Sequence, residues 1–228
     1  MAGSNRRFAR GAILLPVLFL TMAGLARATT ITVNSLADMG TPGICVLRDA
    51  ITASNSMTAT NGCAAGSGTD TINFSVTGTI MLGSALPAIA NASPGSLTID
   101  GIGQAIKVDG ANLFQILSVT LGSELKVQNL TIADGRAGIG GGIRNDGTLT
   151  VNNSDFSDNS AAGIFGDGGG IDNGGTLTVN RSTFSGNSAV DGGGIFNVGT
   201  LTVSNSTFSD NSVSGSPVSA PASTTAAR

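Results

Sequence analysis

One block of sequence occurs three times in the second half of the chain, and this repeat is the feature that most restricts the possible folds. Each copy runs from Gly-Gly-Gly-Ile-x-Asn through Gly-Thr-Leu-Thr-Val to Phe-Ser-x-Asn, where x varies. The copies begin at Gly140, Gly168 and Gly192, so they are 28 and then 24 residues apart. The four additional residues lie in 160–167, which indicates that one loop has grown while the rest of the block stayed in phase.

A block of about 24 residues with three short predicted strands is too small to enclose a core of its own. Side chains alternate along a strand, so the leucine and valine of each Gly-Thr-Leu-Thr-Val run point one way and the threonines the other. Stacked blocks would pair each strand with its equivalent, in parallel and about 4.8 Å away. The repeat therefore predicts an all-β parallel solenoid. A β-sandwich is the alternative, but that fold does not require near-identical strands at a fixed interval and so would not account for the repeat.

Stacking also predicts continuous columns of apolar side chains inside the solenoid. The phase extends upstream more weakly, because 125–135 lies 24 residues before 149–159 and matches it at three apolar positions. Each buried member would contribute about 1.5–3 kcal/mol. The predicted columns are Leu125, Leu149, Leu177 and Leu201; Val127, Val151, Val179 and Val203; Phe156, Phe184 and Phe208; and Ile143, Ile171 and Ile195.

Glycine and asparagine mark the predicted corners of each coil. Glycine reaches backbone angles that other residues avoid, and stacked amides can hydrogen-bond to one another and to turn amides. One predicted asparagine ladder comprises Asn145, Asn173 and Asn197, and the other comprises Asn159, Asn187 and Asn211. The chain has 34 glycines, but their fixed spacing argues against a disordered linker.

The glycine-rich motif followed by Phe-Ser-x-Asn resembles the repeat of the polymorphic outer membrane proteins, within the pectin-lyase-like group of right-handed β-helices. The resemblance covers about residues 31–211. It implies a right-handed parallel β-helix that is displayed at the cell envelope or secreted. It is specific for the fold and much less specific for an activity.

Residues 1–28 are predicted to be a secretory signal peptide. Three arginines precede an uncharged apolar run at 11–25, and Ala26-Arg27-Ala28 is a small-x-small cleavage site. A membrane anchor is the alternative, but the run is shorter than the about 20 residues of a spanning helix, so no transmembrane helix is expected after cleavage. Cleavage would remove four of the 11 Lys and Arg residues and none of the 14 Asp and Glu residues, which gives a net charge of −7. Such an acidic chain is not expected to bind nucleic acid or anionic membranes.

Residues 29–70 are predicted to form an N-terminal cap over the first coil, and 71–211 to form the coils. The two cysteines, Cys45 and Cys63, are expected to form a disulfide after export, which contributes about 3 kcal/mol. Residues 45–55 resemble the Cys-Ser-Leu-Arg-Glu-Ala motif of exported bacterial repeat proteins. A short helix is predicted there, with one face formed by Leu47, Ala50, Ile51 and Ser54 and with Arg48 and Asp49 in local ion pairs.

Two pairs of aspartates are the candidates for chemistry. Asp134 and Asp158 occupy equivalent positions in neighbouring blocks, and so do Asp167 and Asp191. Carboxylates stacked about 5 Å apart repel each other unless a cation or a proton intervenes. Each pair is therefore a weak calcium candidate or, with Arg136 nearby, a candidate for acid–base work. The alternative is that both pairs lie on corners and point into water.

The remaining predictions concern an ion pair, cofactors and the C-terminal segment. Arg144 and Asp172 are also equivalent positions, which predicts an exposed ion pair between neighbouring coils. The chain has no histidine, and no cofactor is expected apart from the calcium for which the aspartate pairs are weak candidates. Residues 212–228 are rich in Ser, Pro, Ala and Thr and are predicted to be a flexible tail. The last coil is then expected to be covered by this tail, by another subunit through self-association or by a partner, or to continue into further coils of a longer chain.

These features favour an exported cell-envelope, outer-membrane-surface or secreted β-helix without catalysis of its own. It would serve as an adhesive, interaction or structural module whose polar exterior binds a surface glycan or a protein. The alternative is a carbohydrate-active enzyme, a lyase or hydrolase acting on acidic glycans through the four aspartates.

Overall fold

The computed structural model describes residues 28–91 and 95–215 and shows a parallel β-solenoid with one short helix near its start. The chain winds through four sheets, and each strand pairs in parallel with the equivalent strand of the next coil. The predicted all-β parallel fold is confirmed. Within the described ranges, no helix is long and apolar enough to cross a membrane.

Two long sheets, named A and B, run along the solenoid. Sheet A has seven strands, which in stacking order are β1 (Thr29–Val33), β2 (Thr69–Phe74), β4 (Ser96–Asp100), β7 (Glu124–Gln128), β11 (Thr148–Asn152), β15 (Thr176–Asn180) and β19 (Thr200–Ser204). Sheet B has six, which are β3 (Gly78–Met81), β5 (Ile106–Asp109), β8 (Leu130–Ala133), β12 (Asp155–Ser157), β16 (Thr183–Ser185) and β20 (Thr207–Ser209).

Two shorter sheets, named C and D, complete each coil. Sheet C contains β9 (Arg136–Ala137), β13 (Ser160–Ala161), β17 (Ser188–Ala189) and β21 (Ser212–Val213). Sheet D contains β6 (Leu117–Val119), β10 (Ile143–Asn145), β14 (Ile171–Asn173) and β18 (Ile195–Asn197). From β7 onward the chain passes through sheets A, B, C and D in turn. The prediction of three strands per block is therefore wrong, because the two-residue strands of sheet C are too short to leave an alternating pattern.

The interior contains the predicted columns. Leu149 pairs in register with Leu177, and Leu177 with Leu201. The leucine column continues upstream through Leu125 to Leu97. The valine and isoleucine columns are aligned in the same way. All column members in the coils before the last one are fully buried, as the stacking of the repeats predicts.

The phenylalanine column forms a continuous stack. The ring centroids of Phe156 and Phe184 are 4.6 Å apart, and those of Phe184 and Phe208 are 4.8 Å apart. Phe156 and Phe184 are fully buried, whereas Phe208 is only half-buried. The ring spacing follows the strand spacing, so the backbone register itself sets the stack.

The triple glycines are required because successive coils approach too closely for a side chain. A Cβ on Gly169 would lie 2.4 Å from the carbonyl oxygen of Gly193, and one on Gly170 would lie 2.5 Å from that of Gly194. Gly168 also has a φ of +67°, in the left-handed region that favours glycine. Close approach and turn geometry together explain this part of the repeat.

Both asparagine ladders are hydrogen-bonded along the solenoid axis. The Nδ2 of Asn159 donates to the Oδ1 of Asn187 at 2.9 Å, and the Nδ2 of Asn187 donates to the Oδ1 of Asn211 at 2.8 Å. The second ladder repeats this arrangement, at 2.6 Å for each step, through Asn145, Asn173 and Asn197. All the ladder asparagines in the coils before the last one are fully buried, so these corners are polar and yet closed to water.

The N-terminal segment contains the predicted helix and disulfide. Helix α1 (Leu47–Ser56) buries the predicted face and packs against β1 and β2. Cys45 and Cys63 are bonded, and both are buried. The buried Asp70 aligns with Leu97 in the leucine column and accepts a hydrogen bond from the Ser54 hydroxyl at 2.8 Å. Because 29–70 also supplies β1, the cap and the first coil share this segment.

The two charged cap residues behave differently from each other. Arg48 forms the predicted ion pair, with Asp38 at 2.7 Å, and its guanidinium also donates to the backbone carbonyls of Ser84 and Ala85. Asp49 instead accepts a hydrogen bond from the side-chain amide of Asn61 at 2.7 Å. An ion pair for Asp49 is therefore absent from the described part of the chain.

The last described coil keeps the register but loses burial. Leu201 and Val203 are half-buried, whereas their partners one coil earlier are fully buried. The segment predicted as a tail first forms β21, which pairs with β17. Residues 216–228, like the predicted signal peptide apart from its last residue, lie outside the described residues. Self-association at this coil stays a prediction.

Candidate functional site

The outer face of sheet A presents rows of hydroxyl groups. In β11, β15 and β19 the leucine and valine point inward, so the alternate threonines face outward. Register aligns these threonines into two rows, which are Thr148, Thr176 and Thr200 and, beside them, Thr150, Thr178 and Thr202. In the first row, the position equivalent to Thr148 on the preceding coil is held by Glu124 on β7.

A groove of about 600 Å³ runs beside the first row, at the corner where sheet D passes into sheet A. Its lining spans five successive strands of sheet A, from Thr69 on β2 to Thr176 on β15. At the usual strand spacing this is a length of about 19 Å. The groove is therefore suited to an extended chain rather than to a single small molecule.

Unequal corner lengths give the groove its raised edge. From Ile143 in sheet D to Leu149 in sheet A the chain needs six steps, whereas from Leu117 to Leu125 it needs eight. The two additional residues include Leu121, which protrudes into solvent with 87% exposure and lines the groove. On later coils the same corner is a short turn at Gly147 and Gly175.

The groove lining is acidic. It contains two carboxylates, Glu124 and Asp146, together with Thr and Ser side chains, Leu121 and backbone at glycines. Among the described residues that line it there is no lysine or arginine. The Glu124 side chain is exposed and, within the described residues, has neither an ion-pair nor a hydrogen-bond partner. It is therefore available to a ligand.

The outer face of sheet D adjoins the groove at Asp146. Register aligns Ser118, Arg144, Asp172 and Phe196 on successive coils. The predicted ion pair between Arg144 and Asp172 is wrong, because the Arg144 guanidinium instead lies 3.1 Å from the Asp146 carboxylate. The two partners lie two residues apart in one coil, across the end of β10, and this local contact takes the place of the contact between coils.

Asp172 is the most perturbed carboxylate described. Burial, with repulsion from the Asp167 carboxylate and a smaller contribution from Asp146, raises its pKa to about 6, although Arg144 acts in the opposite direction. The pKa of Asp167 is also raised, by burial and by the Asp191 carboxylate. The face therefore has a negative local potential that the Arg144 charge does not cancel.

We expect Asp172 to make the protein less stable as the pH rises. A folded-state pKa of about 6, above the ordinary value of 3.8, favours the protonated carboxyl in the folded state, so this contribution is fully present below pH 3.8 and is lost through pH 6. Asp172→Asn, which imitates the protonated form, should match the wild type at about pH 3 and exceed it at about pH 7 by on the order of 1 kcal/mol, after allowance for partial solvent screening. Urea unfolding at both pH values measures the difference. Asp210→Asn, on an exposed turn, is the matched control, and an equal effect of both substitutions would contradict the expectation.

The sequence-predicted pair Asp134 and Asp158 lies at the corner between sheets B and C. The register places the two residues one coil apart, as predicted, and both have a φ of +56°. The Asp134 carboxylate is bound to the Lys107 ammonium at 2.7 Å, and Lys107 also contacts Asp109 at 2.9 Å. Lys107 therefore supplies the compensating charge that the pair was predicted to need.

The side chains around this pair do not converge. Asp158 is exposed, and its column continues as Gly186. Arg136 is exposed on β9 and forms no ion pair within the described ranges. The pKa of Lys107 is raised by its hydrogen bonds to Asp134 and Asp109, so it stays charged and is unsuited to act as a base.

The second predicted pair, Asp167 and Asp191, lies at the next corner, immediately before the glycine runs. The two residues form a parallel bridge, so they are aligned as predicted. In the described part of the chain, no group of three or more Asp, Glu, Cys or His side chains is arranged to hold a metal ion. Calcium binding by either pair stays a prediction.

Sequence reasoning missed the groove and the roles of Glu124 and Asp146. The signal was present, since the Leu117–Leu125 interval is longer than its counterparts in the later blocks. Lys107 carried no signal, because its partner Asp134 is 27 residues away and the upstream phase is weak.

Comparison with known proteins supports the fold. A family model described as "Right handed beta helix region" matches residues 98–226, which is more than half of the chain. No curated protein matches the chain.

Proposed function

Because the chain belongs to the right-handed β-helix family, we propose that it is an exported, non-catalytic binding module of the cell envelope or the extracellular space. Its ligand is a surface glycan or a protein, held along the polar outer face. The observation that carries the proposal is the groove at the corner of sheets D and A, which is long, hydroxyl-lined and open.

The surroundings of the candidate carboxylates favour a role without catalysis. Glycoside hydrolysis needs two carboxyl groups on opposite sides of one bond. In the pair at the corner of sheets B and C, the Asp134 carboxylate is already bound to the Lys107 ammonium, and Asp158 is exposed. Asp167 and Asp191 lie at the next corner, with sheet C between the two pairs, so the four carboxylates do not combine into one site.

Two features support export. Residues 1–28 have the pattern of a signal peptide, and the Cys45–Cys63 disulfide is of a kind that persists in oxidising compartments. The resemblance of the repeat to that of the polymorphic outer membrane proteins supports a place at the cell surface. The cap, the coils and the Ser/Pro/Ala/Thr tail form the exported chain in this proposal.

A carbohydrate-active enzyme is the second candidate, and Asp172 favours it. A carboxyl group whose pKa is raised to about 6 is suited to act as a general acid. Asp146 and Asp167, which act on it electrostatically, lie on the same side of the coil. Phe196, aligned with it on the next coil, would supply an apolar contact for a sugar ring.

One experiment separates the two candidates. The purified protein is incubated with neutral, acidic and amine-bearing polysaccharides, with and without calcium, and both the retained polysaccharide and the newly formed chain ends are measured. We expect retention without new chain ends. Release of products that is abolished by Asp158→Ala or Asp172→Asn, but not by Asp210→Asn, would contradict the proposal and establish the enzyme.

A further inference from the structure

We infer that the groove between sheets D and A binds a glycan of amino sugars with free, protonated amines, through Glu124 and Asp146. This inference rests on the proposed binding function and specifies its ligand class. It departs from the acidic glycans predicted for the catalytic alternative, because the lining has the wrong sign of charge for them.

The two carboxylates supply the charge complementarity. Glu124 is exposed and unpaired within the described residues, and it faces the groove from β7. Asp146 lines the groove from the neighbouring corner. Its one ion pair within the described residues is with Arg144, whose side chain does not line the groove. An ammonium group that reaches either carboxylate gains a charge-assisted hydrogen bond.

The surrounding charges reinforce this preference. Burial, together with repulsion from neighbouring carboxylates, raises the pKa values of Asp172 on sheet D and of Asp167 at the corner before it, and the repulsive part reflects a negative potential on this side of the coil. Lys126, two residues after Glu124 on the same face, is outside the groove lining. An acidic polysaccharide would bring further negative charge against a lining in which the described residues include no lysine or arginine.

The shape and the polar lining favour a sugar chain over a basic peptide. Threonine and serine hydroxyls and exposed backbone at the glycine turns line most of the length, and these groups match the hydroxyl groups of sugars. Among its described members, the lining contains no aromatic residue and a single large apolar side chain, Leu121. Leu121 provides one apolar edge against a sugar ring, whereas a peptide would require several apolar pockets.

The test measures binding of four probes by calorimetry in weakly acidic, low-salt buffer. The probes are a chitosan oligosaccharide, its fully N-acetylated counterpart, an oligogalacturonate and an oligolysine. We expect the wild type to bind the chitosan oligosaccharide most tightly, and binding to weaken as salt is added. Glu124→Gln and Asp146→Asn should each weaken that binding about tenfold, while Asp210→Asn leaves it unchanged. Because these residues are exposed or half-exposed, we expect every variant to fold, and circular dichroism verifies this.

The outcomes separate the inference from the proposed function. Equal binding of the acetylated oligosaccharide, tighter binding of the oligogalacturonate or oligolysine, or binding of none of the four would overturn the inference alone. Cleavage of any probe would overturn the proposed function. A loss of binding in Asp210→Asn equal to that in Glu124→Gln would also overturn the inference, because it would show a general charge effect in place of a site.

Discussion

Phe184→Ala is expected to lower the free energy of unfolding by about 3–5 kcal/mol. The Phe184 ring is fully buried between Phe156 and Phe208, at centroid distances of 4.6 and 4.8 Å, so its removal leaves a cavity with ring faces on both sides. Coils that are fixed by strand pairing above and below have little freedom to collapse into that cavity. Equilibrium urea denaturation followed by circular dichroism measures the loss.

Phe208→Ala is the matched control for this substitution. Phe208 belongs to the same column and the same Thr-Phe-Ser strand sequence, but it lies on the last described coil and is half-buried. It stacks on one ring only, Phe184, within the described residues. We expect Phe208→Ala to be clearly less destabilising. Equal losses in the two variants would contradict the view that position in the stack decides the contribution.

Asn187→Ala is expected to be destabilising by about 3–5 kcal/mol, although it removes no apolar contact. The Asn187 Oδ1 accepts two hydrogen bonds from Asn159, one from the backbone N–H at 3.1 Å and one from the Asn159 Nδ2 at 2.9 Å. Its Nδ2 donates to the Phe156 carbonyl at 2.9 Å and to the Asn211 Oδ1 at 2.8 Å. Alanine leaves these groups without partners in a site that is fully closed to water, at about 1–3 kcal/mol for each group that stays unsatisfied.

Asn211→Ala tests whether burial is the reason. Asn211 holds the same place in the ladder and bonds to the Phe184 carbonyl at 2.8 Å, but it is only half-buried. Water can therefore replace the lost bonds, and we expect a smaller loss, measured by the same urea denaturation. A loss in Asn211→Ala as large as that in Asn187→Ala would show that the ladder acts through turn geometry alone.

The repeat made the core of the solenoid predictable, because its chemistry is periodic. Inward residues recur at a fixed interval, so the register of Leu149 with Leu177 and Leu201 follows from alignment of the sequence with itself. The same holds for the asparagine ladders, whose members bond to their own equivalents. The stacked aspartates were also aligned correctly for this reason.

Features that break the period were missed in the sequence, including the groove, whose longer corner did leave a signal. Arg144 has two acidic neighbours, and alignment favours Asp172, but the side chain contacts Asp146 within its own coil. The strands of sheet C have two residues each, which is too short for an alternating pattern. The groove depends on a corner that is longer in one coil than in the next, and a search for matching residues passes over such an insertion.

A diffraction structure of the chain gives the most direct test of the stacking of equivalent residues on successive coils. The Cα atoms of Leu149, Leu177 and Leu201 should lie in single file, about 4.8 Å apart, on strands that run in parallel. Antiparallel strands at these positions, or leucine side chains that do not contact their equivalents, would contradict the solenoid and everything inferred from its faces.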